Sequence, residues 1–473
     1  MLSAEMNVGV DSKLLPYNAW LPLKEKLKIQ RKKANGTIVT ALDEIAWLFN
    51  LRGSDVEHTP LFKAYSFVTT IEIKLYIRPL KLTPEVEKHL CPNLNNGSEC
   101  VKVEDYIHAF EDMKKIIPEA GKILISSSSS YAMVNLVPEG NRIIHTEPSP
   151  VAELKVVKNP VEIKGMKNAA LKDSVAIVDF VAMLEQQVLQ GKHWDEIKAA
   201  KTLAKFRKEQ EGYQSESFTA ISAVGSNGAI IHYRPQILTN RNVNMKYMYL
   251  LDSGGQYLDG TTDITRTFHF GAPTDFEVAT YTRVLMGAID LISAVFPEKV
   301  KRIGLDYQHG TGHGIGHFLG VHEGPIGISD KSANGNGHLL KPGMFLSDEP
   351  GYYEKDNFGI RLETMMMVVK AYTPHNFNNM QYYTFEPVSF VPFESKLIDL
   401  NLLSQKQKEW LNWFNMKARN TVGIELKKQG RTKGLHWLLS KTEYIPVHSC
   451  PNHSSNSIRP LHFMILCFVV LIF

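Results

Sequence analysis

The stretch LLDSGGQYLDGTTDITRTFHFG (Leu250–Gly271) decides how this chain is to be read. An apolar run ends in Asp252, the chain turns at Gly254–Gly255, and further strand-like residues carry Asp263. The pattern predicts a strand, a Gly-Gly turn and more strands. GMFLSDEPGYYEKDNFGIRLETMMMVVK (Gly343–Lys370) has the same strand–loop–strand shape. Asp252 and Asp263 lie eleven residues apart around one turn, and Glu349 and Glu363 fourteen apart around another. Each acid sits in a largely apolar strand, where a carboxylate is costly unless paired or bound to a cation. An ion-pair network would account for any one of them. Four together, with a histidine, would repel strongly unless about two divalent ions neutralised them.

The histidines are concentrated in HGTGHGIGHFLGVHEGP (His309–Pro325). His309, His313 and His317 stand at i, i+4 and i+8, the spacing of one helix face. Gly310, Gly312, Gly314 and Gly316 interleave, and each glycine costs a helix roughly 1 kcal/mol against alanine. An extended backbone with close neighbours is therefore predicted, with a helix starting near Ile315. Spacing alone does not choose among the imidazoles.

Outward from these blocks, the 473 residues exceed one comfortable core, so two or three domains are expected. The first part, to about residue 158, alternates helices and strands. TALDEIAWLFNLRG reads as a helix and a turn, and GKILISSSSSYAMVNLVPEG starts as a strand. A linker broken by Pro148, Pro150 and Pro160 leads into a long amphipathic helix that stops at Gly191, and a second helix follows. After the strand-rich blocks, LSQKQKEWLNWFNMKARNTVGIELKKQG is helical, with aromatics spaced for core contacts. The expected fold is α/β (α+β), with helices outside a curved antiparallel sheet.

A net charge of +4 and 22% charged residues are too mild for a nucleic-acid partner. The basic run Lys24–Lys33 reads as a solvated helix face or connection. Cys91, Cys100, Cys450 and Cys467 form no C-x-x-C pair, which argues against a zinc knuckle. In a secreted chain Cys91 and Cys100 would close a short disulfide, and the sequons at Asn35, Asn96 and Asn452 point the same way. No signal peptide is visible at the start. The apolar run Leu461–Phe473 would reach roughly 20 Å as a helix, short of the roughly 30 Å of a bilayer core. Behind Ser454, Ser455 and Asn456 it has the form of a lipid-anchor attachment signal. The expected location is the cell surface if that signal is genuine, and the cytoplasm otherwise.

The blocks Leu250–Gly271, His309–Pro325 and Ser347–Glu363 resemble the signatures of the pita-bread metallopeptidases of family M24. TALDEIAWLFNLRGSD (Thr40–Asp55), SAVGSNGAIIHYRP (Ser222–Pro235) and TFEPVSFVPFESKLID (Thr384–Asp399) narrow the resemblance to the Xaa-Pro aminopeptidases (aminopeptidase P), over roughly residues 15–445. It implies a creatinase/prolidase-like α/β domain at 1–158, a pita-bread catalytic domain at 159–392, a helical extension at 393–445 and a tail at 446–473. It also implies two bridged divalent ions, usually manganese. Asp252, Asp263 and Glu363 would hold one; Asp263, His313, Glu349 and Glu363 would hold the other. His232 and His322 would donate to the substrate carbonyl and the oxyanion. Glu349 would be the general base for a hydroxide bridging the metals. His309 would sit beside the site, and Arg361 would contact substrate or orient ligands. His317 matches no family role and is expected to be structural. The substrates would be peptides with proline second, kinins among them for a membrane-anchored form, and a homodimer is expected.

Two departures from the family stand out. Relatives carry a further amino-terminal domain before Tyr17, which is expected to be lacking here. Only Glu298–Ile303 separates Pro297 from Gly304 where relatives place a helix of several turns, an arrangement expected to displace His313. These departures favour an impaired peptide-binding or scaffold protein as the alternative. Within enzymes the alternative is a prolidase, which must grip a free substrate carboxylate. The string RGSD (Arg52–Asp55) belongs to a family block and is not a cell-adhesion motif.

Overall fold

The structure, a computed structural model, describes residues 34–69, 71–91, 100–145, 148–297, 309–329 and 339–447. The basic run Lys24–Lys33, Asn96, the connection Glu298–Ile303, Asn452 and the apolar tail lie outside them.

The first domain is a six-stranded mixed sheet. Its strands are β1 (Gly36–Val39), β2 (Tyr65–Thr69), β3 (Ile73–Ile77), β4 (Lys102–Asp105), β5 (Ile123–Ser126) and β6 (Arg142–His145), in the order β4-β3-β2-β1-β5-β6. The pairs β1–β2 and β2–β3 are antiparallel, and the others are parallel. Ile38 and Phe67 face one layer of core, with Met113, Ile117 and Ile125. Val39 and Val68 face the other, with helix α1 (Leu42–Leu48). This two-faced burial explains why β5 opens as an unbroken apolar run, Ile123–Ile125. Ile45 of α1 is fully buried, a contribution of about 1.5–3 kcal/mol. Cys91 and Cys100, on either side of a loop in this domain, are disulfide-bonded.

The linker is not wholly irregular: Pro150–Lys155 forms a short helix capped by the Ser149 hydroxyl. Helix α2 (Pro160–Leu189) then runs for 30 residues from a capping box between Asn159 and Glu162. It ends where Gly191 takes φ +73, a conformation glycine adopts without penalty. Against α2 pack α3 (Glu196–Lys208) and the sheet made of β7 (Ile221–Val224), β8 (Tyr249–Ser253) and β9 (Ile264–Phe268).

Strands β7–β9 are antiparallel in the order β9-β8-β7. A second antiparallel sheet contains β10 (Gly312–Gly314), β11 (Glu323–Ile328), β12 (Phe345–Asp348), β13 (Thr364–Ala371) and β14 (Tyr382–Pro387), in the order β14-β13-β12-β10-β11. The Glu363 amide donates to the Thr265 carbonyl at 3.0 Å and joins the two sheets into one curled surface. The helix expected from Ile315 is absent. Ile315–His322 is an irregular loop in which Phe318 takes φ +48. Its backbone bonds to side chains of other segments, and that competition displaces the helical ladder. At the carboxyl end, Trp410 and Phe414 pack with Phe393 and Leu411, as core residues. Among the described residues no helix is long and apolar enough to cross a membrane.

Candidate metal centre

Every acid singled out from the sequence lies at a strand end on the concave side of the curled sheets. Asp252, in β8, is paired opposite Thr265 of β9. Side chains alternate along a strand, so Leu251 enters the core while Asp252 faces the cavity. Asp263 precedes β9, Glu349 follows β12, Glu363 precedes β13, and His313 is the middle residue of β10. Oxygen atoms of Asp252, Asp263 and Glu363 lie within 4.8 Å of one another. The same limit holds for ligand atoms of His313, Glu349 and Glu363, and of Asp263, His313 and His322. The short connection before Gly304 thus leaves His313 with its partners, contrary to the expected displacement. Its Nε2 is 3.4 Å from Asp263 and 3.5 Å from Glu349.

The donor chemistry asks for cations. His313 Nδ1 lies 3.0 Å from the Gly314 carbonyl, which can only accept, so this nitrogen carries the proton. Nε2 is then the ring nitrogen turned toward the two carboxylates, where a cation could take its place among them. Asp252 Oδ1 is buried without a hydrogen-bond partner. Burial, with repulsion from Asp252 and Glu349, pushes the Asp263 carboxyl far above the usual range. Burial and repulsion, led by Asp263, do the same to Glu363. Glu349 is also raised, by burial, against the opposing pull of His313. Carboxylates this costly to ionise together are what a dinuclear cation site stabilises.

Around the carboxylates sits a set of fixed polar groups. Arg361, 2% exposed, reaches Asp252 Oδ2 with Nη2 at 2.5 Å and donates Nη1 to the Tyr353 hydroxyl at 2.8 Å. His309 Nδ1 donates to the Gly310 carbonyl at 2.7 Å, which leaves Nε2 to accept from Tyr353, also at 2.8 Å. Burial lowers the His309 pKa, in keeping with a neutral ring. The Thr265 hydroxyl donates to Glu363 at 2.8 Å, and Ser347 to Glu349 at 3.2 Å. Tyr353, Thr265 and Ser347 were not singled out from the sequence, because their roles exist only once the strands meet. Tyr353, four residues after Glu349 in the same hairpin, carried the nearest signal.

His232 and His322 are exposed and line a cavity of about 430 Å³ with His309, His313, Arg361 and the carboxylates. Its apolar wall includes Phe218, Ile221, Ile231 and Val321. The His322 ring stands edge-on to His313 with centroids 4.2 Å apart, and partial loss of water on that inner face, with His313 beside it, pushes its pKa down to about 4. His317 lies outside the cavity, 2% exposed, beneath α2. Gly312 and Gly314, on either side of His313, are sterically required. A Cβ on Gly312 would lie 2.0 Å from the Ser347 carbonyl oxygen, and one on Gly314 would lie 2.2 Å from that of Glu323.

Comparison with known proteins matches residues 164–370 to metallopeptidase family M24. Residues 22–162 match the creatinase/prolidase N-terminal domain, and residues 381–445 the C-terminal region of peptidase M24. A probable Xaa-Pro aminopeptidase P of Tuber melanosporum is 41% identical over 92% of this chain and 75% of its own length. The Drosophila melanogaster Xaa-Pro aminopeptidase ApepP is 41% identical over 90% of this chain and 70% of its own. A crystal structure of the Caenorhabditis elegans X-prolyl aminopeptidase, described as a cytosolic enzyme with a di-nuclear active site, superposes with a TM-score of 0.85. It is 34% identical and covers 93% of this chain and 73% of that one.

Proposed function

The chain belongs to metallopeptidase family M24, with the Xaa-Pro aminopeptidases P, and from that premise we propose that it removes the first residue of peptides whose second residue is proline. The observation that carries the reading is the convergence of Asp252, Asp263, His313, Glu349 and Glu363 at the floor of an open cavity.

Asp252, Asp263 and Glu363 would hold one divalent ion. Asp263, His313, Glu349 and Glu363 would hold the second. The oxygen-rich set with one imidazole favours manganese. When bound, the pair would supply an activated water between them and polarisation of the scissile carbonyl.

The protein's own groups divide the remaining work. An Xaa-Pro bond has no N–H to grip, so recognition falls on the carbonyl. His232 and His322 face the cavity and would donate to that oxygen as negative charge develops on it. His322 is neutral near pH 7, so it offers a directed N–H and not a fixed charge. Glu349, at the cavity beside His313 with its carboxyl raised above the ordinary value by burial, would take the water proton and pass it on. Arg361 holds Asp252 in place, and Tyr353, accepting from Arg361 and donating to His309, orients that imidazole for proton movement beside the site.

Hydrolysis of an Arg-Pro-Pro tripeptide by metal-stripped protein, with and without added manganese, tests the reading beside a Glu363→Ala control. Manganese-dependent release of the first residue, lost in the control, is expected. No release from folded, metal-loaded protein would refute the reading and leave a peptide-binding module. Release confined to Xaa-Pro dipeptides would make it a prolidase. We further propose a homodimer, to be checked by sedimentation. The location follows the tail: cell surface if it directs lipid attachment, cytoplasm if not. Phospholipase C release from cells separates the two.

A further inference from the structure

Between the first domain and the cavity lies a buried polar joint that the chemistry above does not use. Arg52 follows α1. In its own domain it donates Nη1 to the carbonyls of Ala46 (3.0 Å) and Leu51 (3.2 Å). Across the joint it donates Nε to the Phe318 carbonyl (2.5 Å) and Nη2 to the His317 carbonyl (3.0 Å). Burial lowers its pKa only to about 10, so it is cationic at neutral pH.

The loop it holds is one that would not hold itself. Phe318 takes φ +48, a left-handed conformation that costs a bulky residue about 1 kcal/mol or more. Its ring lies under the guanidinium, 5.8 Å from centroid to Cζ. The neighbouring Leu319 is pinned from the other side. Its carbonyl accepts from Gln256 at 2.7 Å and its amide donates to Thr261 at 3.2 Å. Immediately after His322, Glu323 is buried between Lys155, at 2.7 Å, and Lys158. His322 therefore spans two fixed points, Phe318–Leu319 and Glu323. Arg52, Phe318 and Glu323 do not line the cavity.

We propose that Arg52 is a positioning residue for the peptidase reaction: its grip on the carbonyls of His317 and Phe318 sets the loop that places His322 against His313. The first domain thereby acts on the reaction without touching substrate. A guanidinium is required because two N–H groups in a fixed fork meet two adjacent carbonyls, which the point charge of lysine cannot do. The inference rests on the aminopeptidase reading through His322.

Arg52→Met and Arg52→Lys are each compared with wild type. Arg52→Met is expected to lower kcat about 10- to 100-fold, the scale of a roughly 1 Å misplacement. KM should stay within about threefold and manganese per chain should be unchanged. Arg52→Lys should fold and remain impaired. In a His322→Ala background Arg52→Met should cost less than about threefold more, because the group it positions is gone. Hydrogen exchange of the segment 315–323, read by mass spectrometry without turnover, should quicken about tenfold. Unchanged exchange would overturn the proposal. So would a full loss of kcat in the His322→Ala background, or a loss that tracks metal content. Faster exchange in a protein whose wild type turns over no peptide would keep the loop's dependence on Arg52 and sink the aminopeptidase reading alone.

Discussion

Replacing Glu363 by glutamine should stabilise the metal-free protein while weakening its response to metal. Glu363 alone of the four acids shares a convergent ligand group with each of the other three, so its charge meets the most others. At an effective dielectric constant of ~20, two unit charges 4.8 Å apart repel by about 3.5 kcal/mol. Its pairs with Asp252, Asp263 and Glu349, all within that distance, would sum to about 10 kcal/mol or more were all four ionised. Proton uptake by carboxyls whose pKa burial has already raised relieves most of that in the metal-free state. A net gain of about 1–2 kcal/mol is expected. For 473 residues the unfolding entropy is about 1 kcal/mol per degree, so Tm in chelator should rise by about 1–2 °C. Two ions at a hundred times their Kd should add about 5.4 kcal/mol to wild type, or about 5 °C. The variant has lost a ligand common to both sites and should gain less than about 2 °C. Calorimetry in chelator and in manganese reads both numbers. A variant less stable than wild type in chelator, or one with the full manganese shift, would refute the reasoning.

Three more outcomes follow from the geometry. Glu323→Gln leaves the buried Lys158, 3% exposed, with a neutral partner, while Lys155 keeps Asp43 at 3.0 Å, and should cost about 3–5 kcal/mol in urea unfolding. A loss under about 1 kcal/mol would mean that the ammonium groups find other company. Burial holds the His317 pKa at about 3, against about 6.5 unfolded, so the unfolded chain binds more protons between these values. Its contribution is complete above pH 6.5 and falls on acidification, by about 2 kcal/mol from pH 6.5 to 5. His317→Leu should flatten that part of the stability curve, and an unchanged slope would assign it elsewhere. His322→Ala should lower kcat/KM about 100-fold or more, the scale of losing one oxyanion donor, with metal content intact by elemental analysis.

The acids were legible because each is an anomaly where it stands, a carboxylate inside an apolar strand. Asp252, Asp263, Glu349 and Glu363 could be chosen before the strands were known to meet. His313 was not separable from its neighbours by spacing, and resemblance chose it. The glycines correctly forbade a helix through Gly310–Gly314, and the same argument applied to Gly316 and Gly320 would have cancelled the helix expected at Ile315. What fills its place could not be read locally. The loop's carbonyls are met by Arg52, 265 residues away from His317 in sequence, and by Gln256. Arg52 itself was visible only as part of a block, since nothing in RGSD names its acceptors. Tyr353 and Thr265 were missed for the same reason: a hydroxyl gains its meaning from the group across the sheet.

Gly312 and Gly314 bound the tolerance of the whole centre to variation. Both would push a Cβ into backbone oxygen, which cannot move aside as a side chain can. A Cβ at Gly310 would meet its nearest atom at 3.5 Å, an ordinary contact. Within five residues the chain thus changes from replaceable to irreplaceable and does so through shape alone, before any metal or substrate is considered. The His313 strand is in effect a spacer gauge between two neighbouring backbones. A lineage that relaxed its need for metal could shed Asp252 or Glu349 without collapsing this hairpin. It would still keep the two glycines, which would then persist as a fossil of the centre after the chemistry had gone.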